Sequence, residues 1–238
     1  MPKAVLFDLD GTLLPMDQDE FVNTYFSKMA VKFQPLGYDP QLFKKTIWSS
    51  VLAMMKNDGS CTNEEAFWNE FEKVFGKDSR KDEPVFDDFY RNDFQSVRSV
   101  SKPDPRAAKI VRRLRELGCK VILATNPLFP KVATESRIRW AGMEPSDFDI
   151  YSTFEDYYHC KPNPDYFTEI LGRAGGIDPK ECIMVGNDVD EDLVASKLGM
   201  KVFLLDGYMI NRSGKDISDV PKGGFDDLER FLEKEFSE

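Results

Sequence analysis

Five short runs in this chain are apolar on consecutive positions over most of their length: Ala4 to Leu9, Lys120 to Ala124, Phe148 to Ser152, Cys182 to Val185 and Lys201 to Leu205. A strand with one wetted face alternates apolar and polar residues. A run with no polar face has to be covered on both sides, as in a parallel sheet held between two layers of helices. Helical patterns fill the gaps between the later runs. Asp104-Pro105 supplies an N-cap and a first-turn proline, Ile110, Val111, Leu114 and Leu117 form an inward stripe, and Gly118 ends it. Pro130 to Ala141 closes on Gly142, Asn163-Pro164 opens a helix that stops at Gly175-Gly176, and a further pattern ends at Gly199. Strand and helix alternate, which predicts an α/β fold with a doubly wound, Rossmann-like parallel sheet.

One stretch breaks the alternation. Phe21, Tyr25, Met29 and Phe33 recur at helical spacing, followed by Leu42, Ile47, Val51 and Met55. Phe67, Phe71 and Phe75 repeat the pattern after Thr62-Asn63, and Phe86, Phe89, Tyr90 and Phe94 complete it. This predicts about four helices inserted after the first strand, with the aromatic stripes packed as core. Residues 1–16 and 101–238 are therefore assigned to the α/β domain and 17–100 to an all-helical one. The chain crosses between them at Pro15-Met16-Asp17 and at Val100 to Pro103, and Lys77 to Glu83 reads as a solvated loop.

Charge narrows the partners. With 32 basic against 42 acidic side chains, a net charge of −10, the overall field repels a polyanion, so no nucleic-acid partner is expected. Cys61, Cys119, Cys160 and Cys182 are widely spaced and His159 is the single histidine, which argues against zinc and for four reduced thiols. No run reaches the ~18 apolar residues of a membrane span, and the N-terminal one is broken by Asp8. A cytoplasmic protein without a membrane partner is the expectation.

Chemistry-bearing residues collect where these strands end. The first run delivers Asp8-Leu9-Asp10-Gly11-Thr12, two carboxylates two positions apart at a carboxyl end, which is where open parallel sheets bind ligands. A carboxylate after so apolar a run needs a partner such as a cation. Gly11 allows a turn or a close backbone approach, and Thr12 offers a hydroxyl and an amide. The second run ends in Thr125-Asn126, a pair that also suits a helix cap. Lys161 sits in His159-Cys160-Lys161-Pro162-Asn163-Pro164, and a lysine is ordinarily a solvated surface charge. The fourth run opens into Gly186-Asn187-Asp188-Val189-Asp190-Glu191-Asp192, more anions than a helix start requires.

The ordered set Asp-x-Asp-Gly-Thr-Leu, strand-Thr-Asn, Lys-Pro-x-Pro and Gly-x-Asp-x-x-x-Asp resembles the haloacid dehalogenase superfamily, and the helical insert resembles its C1-type cap. The resemblance implies a Mg²⁺-dependent phosphatase acting on a small phosphorylated metabolite through an aspartyl-phosphate. It makes Asp8 the nucleophile and a metal ligand, and Asp10 the general acid/base with its backbone carbonyl on the metal. Thr125 would meet a phosphate oxygen, Lys161 the phosphate and nucleophile charge, and Gly11, Thr12 and Asn126 would complete the phosphate site. Asp188 and Asp192 would complete the metal shell. The family often has Gly-Asp where this chain has Gly186-Asn187, so Asn187, Asp188 and Asp192 remain alternatives for that position, with a carboxylate better suited to Mg²⁺ than an amide. Asp8, with an ordinary pKa of about 3.9, needs positioning rather than deprotonation, whereas Asp10 must hold a proton. A phosphomutase of the same fold and a non-catalytic phospho-ligand-binding protein are the competing readings.

Overall fold

In the computed structural model, which describes residues 1–237, β1 (Ala4–Phe7) is buried along its whole length. There follow α1 (Gln18–Phe33), α2 (Pro40–Met55), α3 (Asn63–Phe75) and α4 (Glu83–Arg91), and then α5 (Pro105–Glu116), β2 (Lys120–Leu123) and α6 (Lys131–Trp140). The chain continues through β3 (Ile150–Tyr151), α7 (Pro164–Arg173), β4 (Cys182–Gly186), β5 (Lys201–Leu205), β6 (Lys222–Gly223) and α8 (Phe225–Ser237). All strand pairs are parallel, in the order β3-β2-β1-β4-β5-β6. The chain thus builds outward from β1 on one side and returns to build on the other, which puts the switch of direction at β1. Phe7 lies opposite both Leu123 and Val185, so the segments after β1, β2 and β4 leave the sheet side by side.

Consecutive apolar residues serve two cores, as the period of a strand requires. Val5, Phe7, Val121, Leu123 and Val185 pack with α5 and α8 residues such as Ile110, Leu114 and Leu228. Ala4, Leu6, Ile122, Met184 and Leu204 pack on the opposite face with Tyr166, Phe167 and Ile170 of α7. The first core runs without interruption into the aromatic interior of α1–α4, from Phe21 and Phe33 to Phe71, Phe89 and Phe94. Asp17, Asp39 and Thr62 cap the first three insert helices, Thr62 through a reciprocal capping box with Glu65. Where the chain enters and leaves this insert, Met16 pairs with Ser101 and the Lys102 amide donates to the Pro15 carbonyl at 2.8 Å.

Several elements differ from expectation for local reasons. β1 stops at Phe7 because the amides of Thr12 and Leu14 both donate to the Leu9 carbonyl, closing a tight turn. β3 is two residues long at the sheet edge, and the helix expected before Gly199 is a 3₁₀ run over Leu193–Leu198. Lys77–Asp82 is likewise a short 3₁₀ run rather than a loop, while β6 and α8 were not anticipated. Among the described residues no helix is long and apolar enough to cross a membrane.

Candidate active site

Asp8 is the first residue beyond β1, and its amide continues the sheet by donating to the Val185 carbonyl at 2.9 Å. Its Oδ1 accepts from Lys161 Nζ at 2.8 Å. Lys161 is fully buried and donates equally to Asp192 Oδ1, at 2.6 Å. Burial works against the ammonium, but the Asp192 and Asp8 carboxylates outweigh it and hold Lys161 protonated well above its ordinary range. The lysine is thus a fixed internal charge, positioned because Asn126 accepts from its backbone amide and donates to its carbonyl, each at 3.2 Å.

Asp192 has no free oxygen. Its Oδ2 accepts from the amides of Asn187 and Asp188, both at 3.0 Å, and its Oδ1 is taken by Lys161. In this arrangement Asp192 holds Lys161 and shapes the loop after β4. Gly186 makes the approach possible, since a Cβ there would lie 2.0 Å from Asp192 Oδ2. Thr12 is also committed, its hydroxyl donating to Asn187 Oδ1 at 2.9 Å and its amide to Leu9 at 3.1 Å. Gly11, at φ +82°, passes so close to Asn187 that a Cβ would meet its Nδ2 at 2.2 Å. Asn126 spends its second donor contact on Glu191 Oε2 at 3.0 Å. Gly11, Thr12 and Asn126 therefore brace the loops against one another.

Thr125 is buried, and its carbonyl accepts from the hydroxyls of Ser152 and Tyr166, the latter at 2.9 Å, which fixes residue 125 beside Asp8. Asp188 Oδ1 accepts from the amides of Asp190 and Glu191, and its Oδ2 lies 3.6 Å from Arg212. Asp10 bonds through Oδ2 to Arg137 Nη1, while its Oδ1 is buried without a partner. Arg137 is 1% exposed, donates from Nε to the Ala133 carbonyl of its own helix and stacks 4.3 Å from the centre of the Phe129 ring.

Residues 2–198 match the haloacid dehalogenase-like hydrolase family. The chain belongs to that family. It is 23% identical over 205 residues to "Putative phosphatase YhcW" of Bacillus subtilis, an alignment that covers 86% of this chain and 84% of that protein. A haloacid dehalogenase family enzyme from Bacteroides thetaiotaomicron, solved with magnesium and inorganic phosphate, shares the fold at TM-score 0.53 and 21% identity, covering 92% of this chain and 98% of that one. A 2-haloacid dehalogenase from Pseudomonas syringae pv. Tomato DC3000 shares it at TM-score 0.61 and 20% identity, covering 98% and 99%. The fold alone therefore does not choose between the chemistries of this hydrolase family.

Charge tests whether these residues suit a divalent cation. Asp8, Asp10, Asp188, Glu191 and Asp192 gather around Lys161 and Arg137, so carboxylates are in excess. Burial pushes Asp8 up to about 7 and Glu191 up to about 8, in each case against the pull of Lys161. It also raises Asp10, against Arg137, and Asp188. Among the described residues no three His, Cys, Asp or Glu side chains converge as a ready-made cage, because Asp10 is turned to Arg137 and Asp192 to Lys161. The donor set nevertheless fits a hard cation: it is all oxygen, short of positive charge, and includes an orphaned buried Asp10 Oδ1.

Arg137 is the residue the sequence reading missed. A signal existed, because Ala133, Arg137 and Trp140 share the buried face of α6 while Arg139 is exposed. Cys160, although beside Lys161, is a buried core thiol whose pKa burial pushes up.

Proposed function

We propose that this hydrolase is a Mg²⁺-dependent phosphatase that cleaves small phosphate monoesters through an aspartyl-phosphate on Asp8, with residues 17–100 as a cap over the site. The observation that carries the reading is the second carboxyl. A halide ion leaves carbon without a proton, whereas an alkoxide leaving phosphorus needs one. Asp10 is partly buried, and burial raises it above its ordinary pKa against the pull of Arg137, which orients it; a raised carboxyl suits an acid that must hold a proton two residues from the nucleophile.

The Asp8 carboxylate attacks phosphorus, the bond to the leaving oxygen breaks with its electron pair on that oxygen, and Asp10 supplies the proton. Asp10, now ionised, takes a proton from water as the water oxygen attacks the phosphoryl group, and the bond to Asp8 breaks to give free carboxylate and inorganic phosphate. Lys161 favours the charged form of Asp8 against burial and holds it in place, Asp192 holds Lys161, and the Thr125 hydroxyl donates to a phosphate oxygen. The carboxylates of Asp8 and Asp188 and the Asp10 carbonyl would hold Mg²⁺, which when bound supplies the positive charge that lets a phosphate dianion approach. Release of phosphate from an aryl phosphate should require Mg²⁺, stop with EDTA, and place an oxygen from ¹⁸O-labelled water in the product. Absence of turnover, or transfer of phosphate to an added sugar hydroxyl instead of water, would overturn the reading.

A further inference from the structure

A cavity of about 520 Å³ lies between α1–α4 and the loops at the carboxyl edge of the sheet. That is the size of a site for a small organic molecule. Asp8 and Asp10 are not in its wall, but Glu191 and Arg212 are, and these touch Asn126 and Asp188 of the site described above. The cavity is therefore placed to receive the part of a substrate that trails from its phosphate.

Aromatic rings are the largest group in its walls, among them Phe26, Trp48, Phe67, Phe129 and Phe154. Trp48 remains 42% exposed, an unusual state for a tryptophan with aromatic neighbours. The Tyr25 and Tyr90 hydroxyls in the wall are bonded to each other at 2.7 Å, which uses one of the two donors they bring. Much of a sugar's surface would face rings here rather than hydrogen-bonding partners.

Acids outnumber bases in the wall: Asp19, Glu64, Glu83, Asp87, Glu155 and Glu191 stand against Arg212 alone. The Glu64 amide donates to the Phe154 carbonyl at 2.9 Å, which sets the first turn of α3 against the loop carrying Glu155. Glu155 Oε1 accepts from the Lys131 amide, while its Oε2 is buried without a partner. Among the described residues neither Glu64 nor Glu155 forms an ion pair, whereas the wall's Glu83 and Asp87 pair with Arg80 and Arg91. Burial, and after it the Glu155 charge, push the Glu64 carboxyl up. Two unneutralised acids among aromatic rings favour a cation and repel a second anion.

We infer that the substrate's leaving group has an aromatic or similarly apolar body carrying an amine or other cation near Glu64 and Glu155, and no second anionic group. This rests on the phosphatase reading above. The test is steady-state kinetics of the full chain with Mg²⁺ on a benzyl phosphate series carrying a 4-aminomethyl, 4-methyl or 4-carboxylate group, with glucose 6-phosphate alongside. The three benzyl esters share one reacting centre and differ in the charge placed in the cavity. The ammonium ester should exceed the carboxylate ester in kcat/KM by about 100-fold, and the neutral ester should exceed glucose 6-phosphate. Glu64→Gln combined with Glu155→Gln should bring the ammonium-to-neutral ratio close to one. If the carboxylate ester matches or exceeds the ammonium ester, or glucose 6-phosphate is the best substrate, the inference fails while the phosphatase reading stands. If no ester is hydrolysed, both fail together.

Discussion

Arg137 is an arginine with almost no contact with water, and its guanidinium bonds the Asp10 carboxyl, which the proposed mechanism uses as its acid. Removing one partner of a buried pair typically costs about 3–5 kcal/mol, because the other is left uncompensated. Arg137→Met should therefore lower the melting temperature and also slow turnover, since Asp10 loses the contact that orients it. Asp10→Asn keeps the backbone carbonyl but cannot donate the proton, so its loss of about 10²–10⁴-fold should shrink for esters with good leaving groups. The two changes act on one event. In a double-mutant cycle, Arg137→Met should slow the wild type but have little further effect on rate in Asp10→Asn. Additive losses in kcat, or a defect in Asp10→Asn that ignores leaving-group pKa, would contradict the pairing of these roles.

At the scale of elements, the site depends on how closely three loops approach. An added Cβ at Gly186 would strike Asp192, so Gly186→Ala should displace that carboxylate and free one side of Lys161. We expect about 1–3 kcal/mol of lost stability and roughly a 100-fold fall in kcat. Gly142→Ala is the comparison: its φ is +78° but nothing lies within 4 Å, so it should cost about 1–2 kcal/mol and leave kcat intact. Denaturant melts and initial rates on both variants separate site geometry from backbone strain. The same contrast explains what could be read from sequence. β1, β2, β4 and β5 were legible because unbroken apolar runs leave no wet face, and with them the positions of Asp8 and Thr125 just beyond two neighbouring strands. Edge strand β6, two residues long, carries no such run. The Thr12–Asn187 and Gly186–Asp192 contacts join residues that periodicity cannot bring together. Arg137 shares a helical face with Ala133 and Trp140, but that spacing places it inward without saying that it meets Asp10.

At the scale of the whole molecule, this chain carries a net charge of −10 and keeps a nest of carboxylates where its loops meet. Their cost to folding depends on protons and on metal, and the sign follows from the shifts. Burial raises Asp8 to about 7 and Glu191 to about 8, against unfolded values of about 4. Between those limits the folded protein holds more protons than the unfolded chain, so stability is fully present below the unfolded values and is lost as pH rises through the folded ones. The metal-free protein should accordingly melt at progressively lower temperature from about pH 5 to about pH 8. On the proposed reading Mg²⁺ would bind the ionised carboxylates, so it would compete with protons at the acid end and not at the alkaline end. Its gain in melting temperature should therefore be larger at about pH 8 than at about pH 5, and the metal should flatten the profile. Differential scanning calorimetry across that range, with EDTA and with Mg²⁺, gives both curves. A metal-free profile that is flat or rises toward pH 8 would show that these carboxylates are ionised without cost. An equal Mg²⁺ gain at both ends would show that the cation binds elsewhere than in this nest.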